Sequence, residues 1–233
     1  MNYKNVLIGL ILLISIGIPA SAQVGDYRNN WSIGVNGGMN LNKVTFQNLK
    51  IKQNYLKGVV GGITARYISE KYFALICGVQ AELNYSQRGW DEKIEDNANT
   101  YSRVMNYLEV PFLAHLAIGK EPRGVQFFIN LGPQIAFLLN EKEHFSNDWD
   151  PSTRPGGVTI QYGKPADKKF DYGIVGGGGI ELKTKAGNFL LEGRYYFGLS
   201  DFYNNTKKDP FARSAHSTIS VRLTYLFDLT RTP

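Results

Sequence analysis

The strongest constraint on the fold of this chain is an alternation of apolar and polar residues that recurs in eight segments. Successive side chains of a β-strand point to opposite sides, so a period of two gives each strand one apolar and one polar face. Most segments reach the roughly 9–11 residues that a membrane-spanning strand needs, whereas strands of globular proteins are typically about 5–6 residues long. The segments are 31–36, 59–67, 73–85, 108–116, 127–139, 172–182, 189–197 and 219–227.

The connections between these segments alternate between short and long. This alternation is typical of up-and-down β-barrels of the outer membrane, whose short turns face the periplasm. The sequence therefore predicts an all-β fold, an eight-stranded antiparallel up-and-down transmembrane β-barrel with both termini in the periplasm. The predicted short turns are Ser69-Glu70-Lys71, Gly119–Gly124 and Thr184–Gly187, and the predicted long loops are Asn42–Lys57, Gln87–Val104, Asn140–Phe170 and Ser200–Arg213.

The charges of the eight segments lie almost entirely on the polar face. A secreted lipocalin-type barrel, the main alternative, is apolar inside and charged outside, whereas a membrane barrel has the opposite arrangement. Charges that share one face therefore favour a membrane barrel with a polar lumen. Because side chains just fill the interior of an eight-stranded barrel, we expect these charges to form a structural network of ion pairs. The predicted network consists of Arg66, Glu82, Glu109, Glu181, Glu192, Arg194 and Arg222.

The first 22 residues have the pattern of a secretory signal peptide. Lys4 precedes an almost unbroken apolar run over residues 6–18, and the segment ends in Ala20-Ser21-Ala22. The apolar run is shorter than the roughly 20 residues of a membrane-spanning helix. We expect cleavage after Ala22, which leaves a barrel domain of residues 23–233 in the outer membrane. The single cysteine, Cys77, excludes an intrachain disulfide.

Four motifs of the mature chain are specific enough to suggest a family. They are Tyr107 to Leu113, Leu131-Gly132-Pro133, Phe170-Asp171-Tyr172-Gly173 with Gly176 to Ile180, and Arg194 to Asp201. These motifs resemble those of the PorT-type β-barrel family of Bacteroidetes outer-membrane proteins. The last strand ends in Tyr225-Leu226-Phe227, which is similar to the terminal aromatic signal read by the barrel-assembly machinery. The chain departs from that signal because residues 228–233 follow Phe227.

The resemblance implies partners as well as a fold. The named member of the family takes part in protein secretion across the outer membrane by the type IX system. An accessory role in secretion, with contacts to type IX components, is therefore implied by family analogy alone. Recognition of Tyr225 and Phe227 by the barrel-assembly machinery is implied in the same way.

Basic and aromatic residues of the predicted outer loops form a candidate contact surface. Lysines and exposed aromatic rings at the outer rim can contact membrane lipids, the phosphates of lipopolysaccharide or a partner protein, although such loops are often simply solvated. No run of Lys and Arg resembles a nucleic-acid footprint, so we expect no nucleic-acid partner. The candidate rim residues are Lys43, Lys50, Lys52, Lys57, Trp90 and Trp149.

Three functions remain open from the sequence, and the favoured one is a non-enzymatic outer-membrane barrel with a structural or interaction role. A small-solute porin is disfavoured because useful aqueous channels need about 16 strands. A surface-exposed enzyme is disfavoured because the three histidines, His115, His144 and His216, are scattered, so we expect no catalytic, metal or cofactor site. The glycine run 176–179 precedes a strand, and we interpret it as space for bulky lumen side chains rather than a phosphate loop.

Overall fold

The computed structural model of the chain describes residues 25–46, 51–94, 99–121, 123–146, 149–150, 159–204, 213–230 and 232. The predicted signal peptide, residues 1–22, and Lys50 lie outside the described residues. No helix in the described ranges is long and apolar enough to cross a membrane. The strands of these ranges are β1 (Asp26–Phe46), β2 (Gln53–Asn54), β3 (Leu56–Tyr72), β4 (Leu75–Glu92), β5 (Tyr101–Gly119), β6 (Gly124–Phe145), β7 (Phe170–Lys183), β8 (Asn188–Gly198) and β9 (Ser214–Asp228).

The eight long strands form one closed antiparallel ring. β1 pairs with β3 on one side and with β9 on the other, and every other long strand pairs with its neighbours along the chain. Closure between the first and last strands removes the sheet edge that an open sheet would expose to lipid. The predicted all-β, up-and-down barrel is confirmed.

The two-residue strand β2 was not predicted. It pairs only with Asp91 and Glu92 at the outer end of β4. β3 accompanies β4 only as far as the pair Val60 and Ser86, so the outer edge of β4 would otherwise lack a backbone partner on that side. β2 covers part of this edge outside the regular ring.

Several strands extend further than the sequence predicted. β1, β4, β5 and β6 continue into three of the predicted long loops, and they form a wall that rises above the ring at the end opposite the short turns. The first short turn is also displaced: it lies at Phe73 and Ala74 rather than at Ser69-Glu70-Lys71. Phe73 has a φ of 54°, the left-handed conformation that tight hairpin turns require.

The two faces of the ring have inverted polarity relative to a water-soluble barrel. Val59 on β3, Phe127 on β6 and Leu223 on β9 point outward and are more than half exposed. Asn36, Asn84 and most of the strand charges point inward and are buried. An apolar outer band around a polar lumen is the arrangement of a membrane barrel, and it excludes the lipocalin alternative.

The residues that follow Phe227 lengthen the seam between the first and last strands. The backbone N–H of Leu229 donates to the carbonyl of Trp31 over 2.7 Å. The Thr230 hydroxyl donates to the Asn29 carbonyl over 2.7 Å and accepts from the Trp31 N–H over 3.0 Å. The segment after the terminal aromatic residue therefore extends the closure of the ring at the end of the short turns.

Candidate functional site

The lumen is closed at the end of the short turns by an apolar layer. Its members point inward from strands all around the ring and are less than one-tenth exposed. Apolar side chains that face one another inside a ring exclude water from its end. The layer consists of Ile68, Ile76, Ala117, Phe128, Leu190 and Leu226.

A chain of ion pairs occupies the middle of the lumen. Arg194 lies at one end of it and bonds two carboxylates. The two terminal nitrogens of Arg194 donate to the Glu82 carboxylate over 2.8 and 2.5 Å, and one of them also donates to Glu192 over 2.8 Å. Arg222 continues the chain, since it bonds Glu82 over 3.1 Å and lies 3.7 Å from Glu109. All five side chains are buried. Five of the seven predicted network residues therefore lie in one connected cluster.

Arg88 and Asp171 extend this cluster, although the sequence analysis did not include them in the predicted network. Arg88 donates through Nε to Glu109 over 2.6 Å and through Nη1 to Asp171 over 2.7 Å. Its guanidinium also stacks on the ring of Tyr196, 4.2 Å from the ring centre. Arg88 fell within the predicted loop Gln87–Val104, and its alternation with the inward residue Ser86 was the available signal.

The remaining two predicted residues, Arg66 and Glu181, form a separate pair. Their contact is bidentate, with both hydrogen bonds 2.7 Å long. Neither residue has an ion pair with another described member of the predicted network. Two parallel bonds between a guanidinium and a carboxylate are among the strongest pairings available to buried charges.

Neutral amides add hydrogen bonds to two carboxylates of the network. Gln80 and Asn84 donate to Glu82 over 2.6 and 2.9 Å, and Asn130 donates to Glu192 over 2.9 Å. A buried carboxylate is tolerated when its oxygens accept such hydrogen bonds as well as an ion pair. Ion pairs and amide hydrogen bonds together therefore link side chains across the middle of the lumen.

An aromatic cap closes the lumen at the end opposite the short turns. Trp90 has no exposed surface and packs between Phe46, Tyr101 and Phe202, with ring centres 5.4 to 6.2 Å apart. The prediction that Trp90 is an exposed rim residue is therefore wrong, because β4 continues past the predicted loop boundary and turns this side chain inward. Trp149 is half-buried and packs 5.4 Å from Tyr162 on the same cap.

Arg103 connects the aromatic cap to the wall of extended strands through hydrogen bonds. It donates to Glu141 over 2.6 and 3.0 Å, to Glu143 over 3.2 Å and to the Tyr203 hydroxyl over 3.0 Å. Burial raises the pKa of Tyr203 above its ordinary value, and the Tyr203 hydroxyl donates to the Lys164 carbonyl. The segments that contain Tyr203 and Lys164 are thereby held over the lumen.

The predicted rim lysines lie on the outside of the wall. Lys52 and Lys57 are exposed, and Lys43 is half-exposed with its ammonium 4.0 Å from the centre of the Tyr55 ring. At the opposite end of the barrel, Phe227 is exposed on the outer face and Tyr225 stacks against Phe189, 5.1 Å away.

Each histidine of the lumen contacts one buried polar side chain. His115 contacts Asn130 over 2.8 Å, and His216 contacts the Tyr107 hydroxyl over 3.0 Å. In the part of the chain that the structure describes, no three His, Cys, Asp or Glu side chains are grouped so that they could hold a metal ion.

Solved structures that are similar to the chain come from several bacteria. The chain is similar to the outer membrane protein OprG from Pseudomonas aeruginosa, with a TM-score of 0.50, 11% identity, and coverage of 88% of this chain and 96% of OprG. Ail of Yersinia pestis gives a TM-score of 0.36 at 13% identity, with 87% and 99% covered. Neisserial surface protein A gives 0.40 at 11% identity, with 84% and 97% covered. The likeness to OprG supports the fold alone.

Sequence comparison identifies the family. No curated protein sequence matches the chain. Residues 21–204, which include the strands from β1 to β8, match the family described as outer membrane protein beta-barrel domain. Together with the inverted polarity of the ring, this match identifies the chain as a member of the outer membrane protein β-barrel domain family.

Proposed function

We propose that this protein is a non-enzymatic, non-conducting outer-membrane barrel with a structural or interaction role. The observation that carries the proposal is the filling of the lumen, which is apolar at the periplasmic end, ion-paired in the middle and aromatic at the outer end. An eight-stranded ring has an interior just wide enough for its own side chains, so such filling leaves no continuous aqueous path. This argument disfavours the small-solute porin.

The purified full-length barrel should show no steady conductance in planar lipid bilayers. Three successive layers block the lumen, and opening a path would require breaking buried ion pairs as well as displacing the cap. A large porin purified in the same detergent provides the positive control for insertion. A stable, large conductance from the unmodified barrel would support the porin instead.

We further propose an accessory role in protein secretion, which the PorT-like motifs support by analogy. The partners would be type IX secretion components, while Tyr225 and Phe227 would be read by the barrel-assembly machinery during insertion. Native protein isolated from its own outer membrane with mild detergent should carry secretion components with it. A co-purifying set that lacks them would contradict this role, with an unrelated outer-membrane barrel isolated in parallel as the control.

The intact mass of the same sample tests cleavage after Ala22.

A further inference from the structure

Lys43 and Lys57 lie together at the outer boundary of the apolar band. On adjacent strands, Lys57 pairs with Leu41, and the next pair on the same face toward the short turns is Met39 with Val59. Met39 and Val59 are 56% and 52% exposed on the outer face of the ring. A strand rises about 3.3 Å per residue, so Lys57 begins roughly 7 Å beyond Val59 along β3.

The surroundings of these two lysines favour an anionic ligand. Within the described part of the chain, no carboxylate lies within 4.0 Å of either ammonium group, and Tyr55 contacts Lys43 through its ring face. Two cations at the end of the short turns differ in this respect, since Arg28 and Lys71 share Glu121 at 3.7 and 3.1 Å.

We propose that Lys43, Lys57 and Tyr55 form a binding site for a phosphate group of an outer-leaflet glycolipid, the lipid A part of lipopolysaccharide. The ammonium groups would contact the phosphate, and the acyl chains would lie on Met39 and Val59. Lysine suits this position because its long apolar stem can run along the wall while its charge reaches the headgroup level. The site rests on the proposed outer-membrane orientation, in which the long loops face outward.

The test measures how much lipid A stays with the purified barrel after mixing with phosphatidylcholine micelles that contain it. Lys43→Gln/Lys57→Gln should retain about tenfold less phosphorylated lipid A than the unmodified protein. Dephosphorylated lipid A should be retained weakly by both. The matched control, Lys120→Gln/Lys185→Gln, removes two exposed charges from the periplasmic turns and should leave retention unchanged.

Three results would overturn the site. Equal losses in the control variant would indicate attraction by overall charge. Equal retention of dephosphorylated lipid A would show that the phosphate is not recognised. Competition by inorganic phosphate at matched concentration would indicate a site for soluble anions instead of a lipid.

A separate experiment tests the orientation on which the site depends. Protease added to intact cells should cut between Glu141 and Lys169 and should spare the turn from Lys120 to Arg123. Cleavage at that turn would contradict the orientation itself, whereas the micelle experiment would still report whether the lysines bind phosphate.

Discussion

Replacing Arg194 with leucine should lower the free energy of unfolding by about 3–5 kcal/mol, the usual cost of removing one partner of a buried ion pair. Arg194 bonds both Glu82 and Glu192 in the middle of the lumen. After the substitution, the hydrogen bonds left among the described residues are one from Asn130 to Glu192, and those of Arg222 and two amides to Glu82. The loss can be measured by urea unfolding in detergent and by the temperature at which the compact gel band becomes the unfolded one.

A second substitution in the same background identifies which charge is left unpaired. Adding Glu192→Gln should recover part of the lost stability, because it removes a carboxylate that has lost its cation. Adding Glu181→Gln should recover nothing, since Glu181 is held by Arg66 through two 2.7 Å bonds. Unchanged stability of Arg194→Leu would mean that water solvates this position, and the filled lumen would then be an incorrect description.

The sequence predicted which face of each strand carries the charges, but it could not predict their partners. Alternation with a period of two places Arg66 and Arg194 on the inner face without stating which strands stand opposite across the lumen. The structure places Glu181 opposite Arg66, and it places Glu82 and Glu192 beside Arg194. Cross-lumen pairing depends on the tilt and stagger of the closed ring, which are properties of all eight strands together.

The outer part of the barrel was harder to predict for a different physical reason. Within the membrane, the outer face must be apolar, so alternation is strong. Above the membrane this requirement ends, and inward positions of β5 include Arg103 as well as Tyr101 and Met105, so the apolar pattern is lost. The strands nevertheless continue, because backbone pairing with β4 and β6 does not depend on which side chains are apolar.

Replacing Gly177 with alanine should destabilise the barrel by about 1–3 kcal/mol, the typical cost of overpacking a filled interior. Gly177 pairs with Arg194 across β7 and β8. A methyl group at this position would lie 2.4 Å from the backbone oxygen of Gly193 and 2.7 Å from Cγ of Arg194. The substitution would therefore push the central guanidinium away from Glu82 and Glu192. Urea unfolding in detergent measures the loss.

Gly193 provides a matched control, because it lies next to Arg194 in the same strand but faces outward. A methyl group there would meet no described atom within 4 Å. Gly193→Ala should leave stability unchanged or raise it by about 0.4–1 kcal/mol, since alanine restricts the unfolded chain more than glycine does. Equal losses of stability in Gly177→Ala and Gly193→Ala would contradict this explanation. The glycine at position 177 would then be required for strand curvature and not for the space that Arg194 occupies. A cost confined to Gly177→Ala would instead tie that glycine directly to the ion-paired lumen.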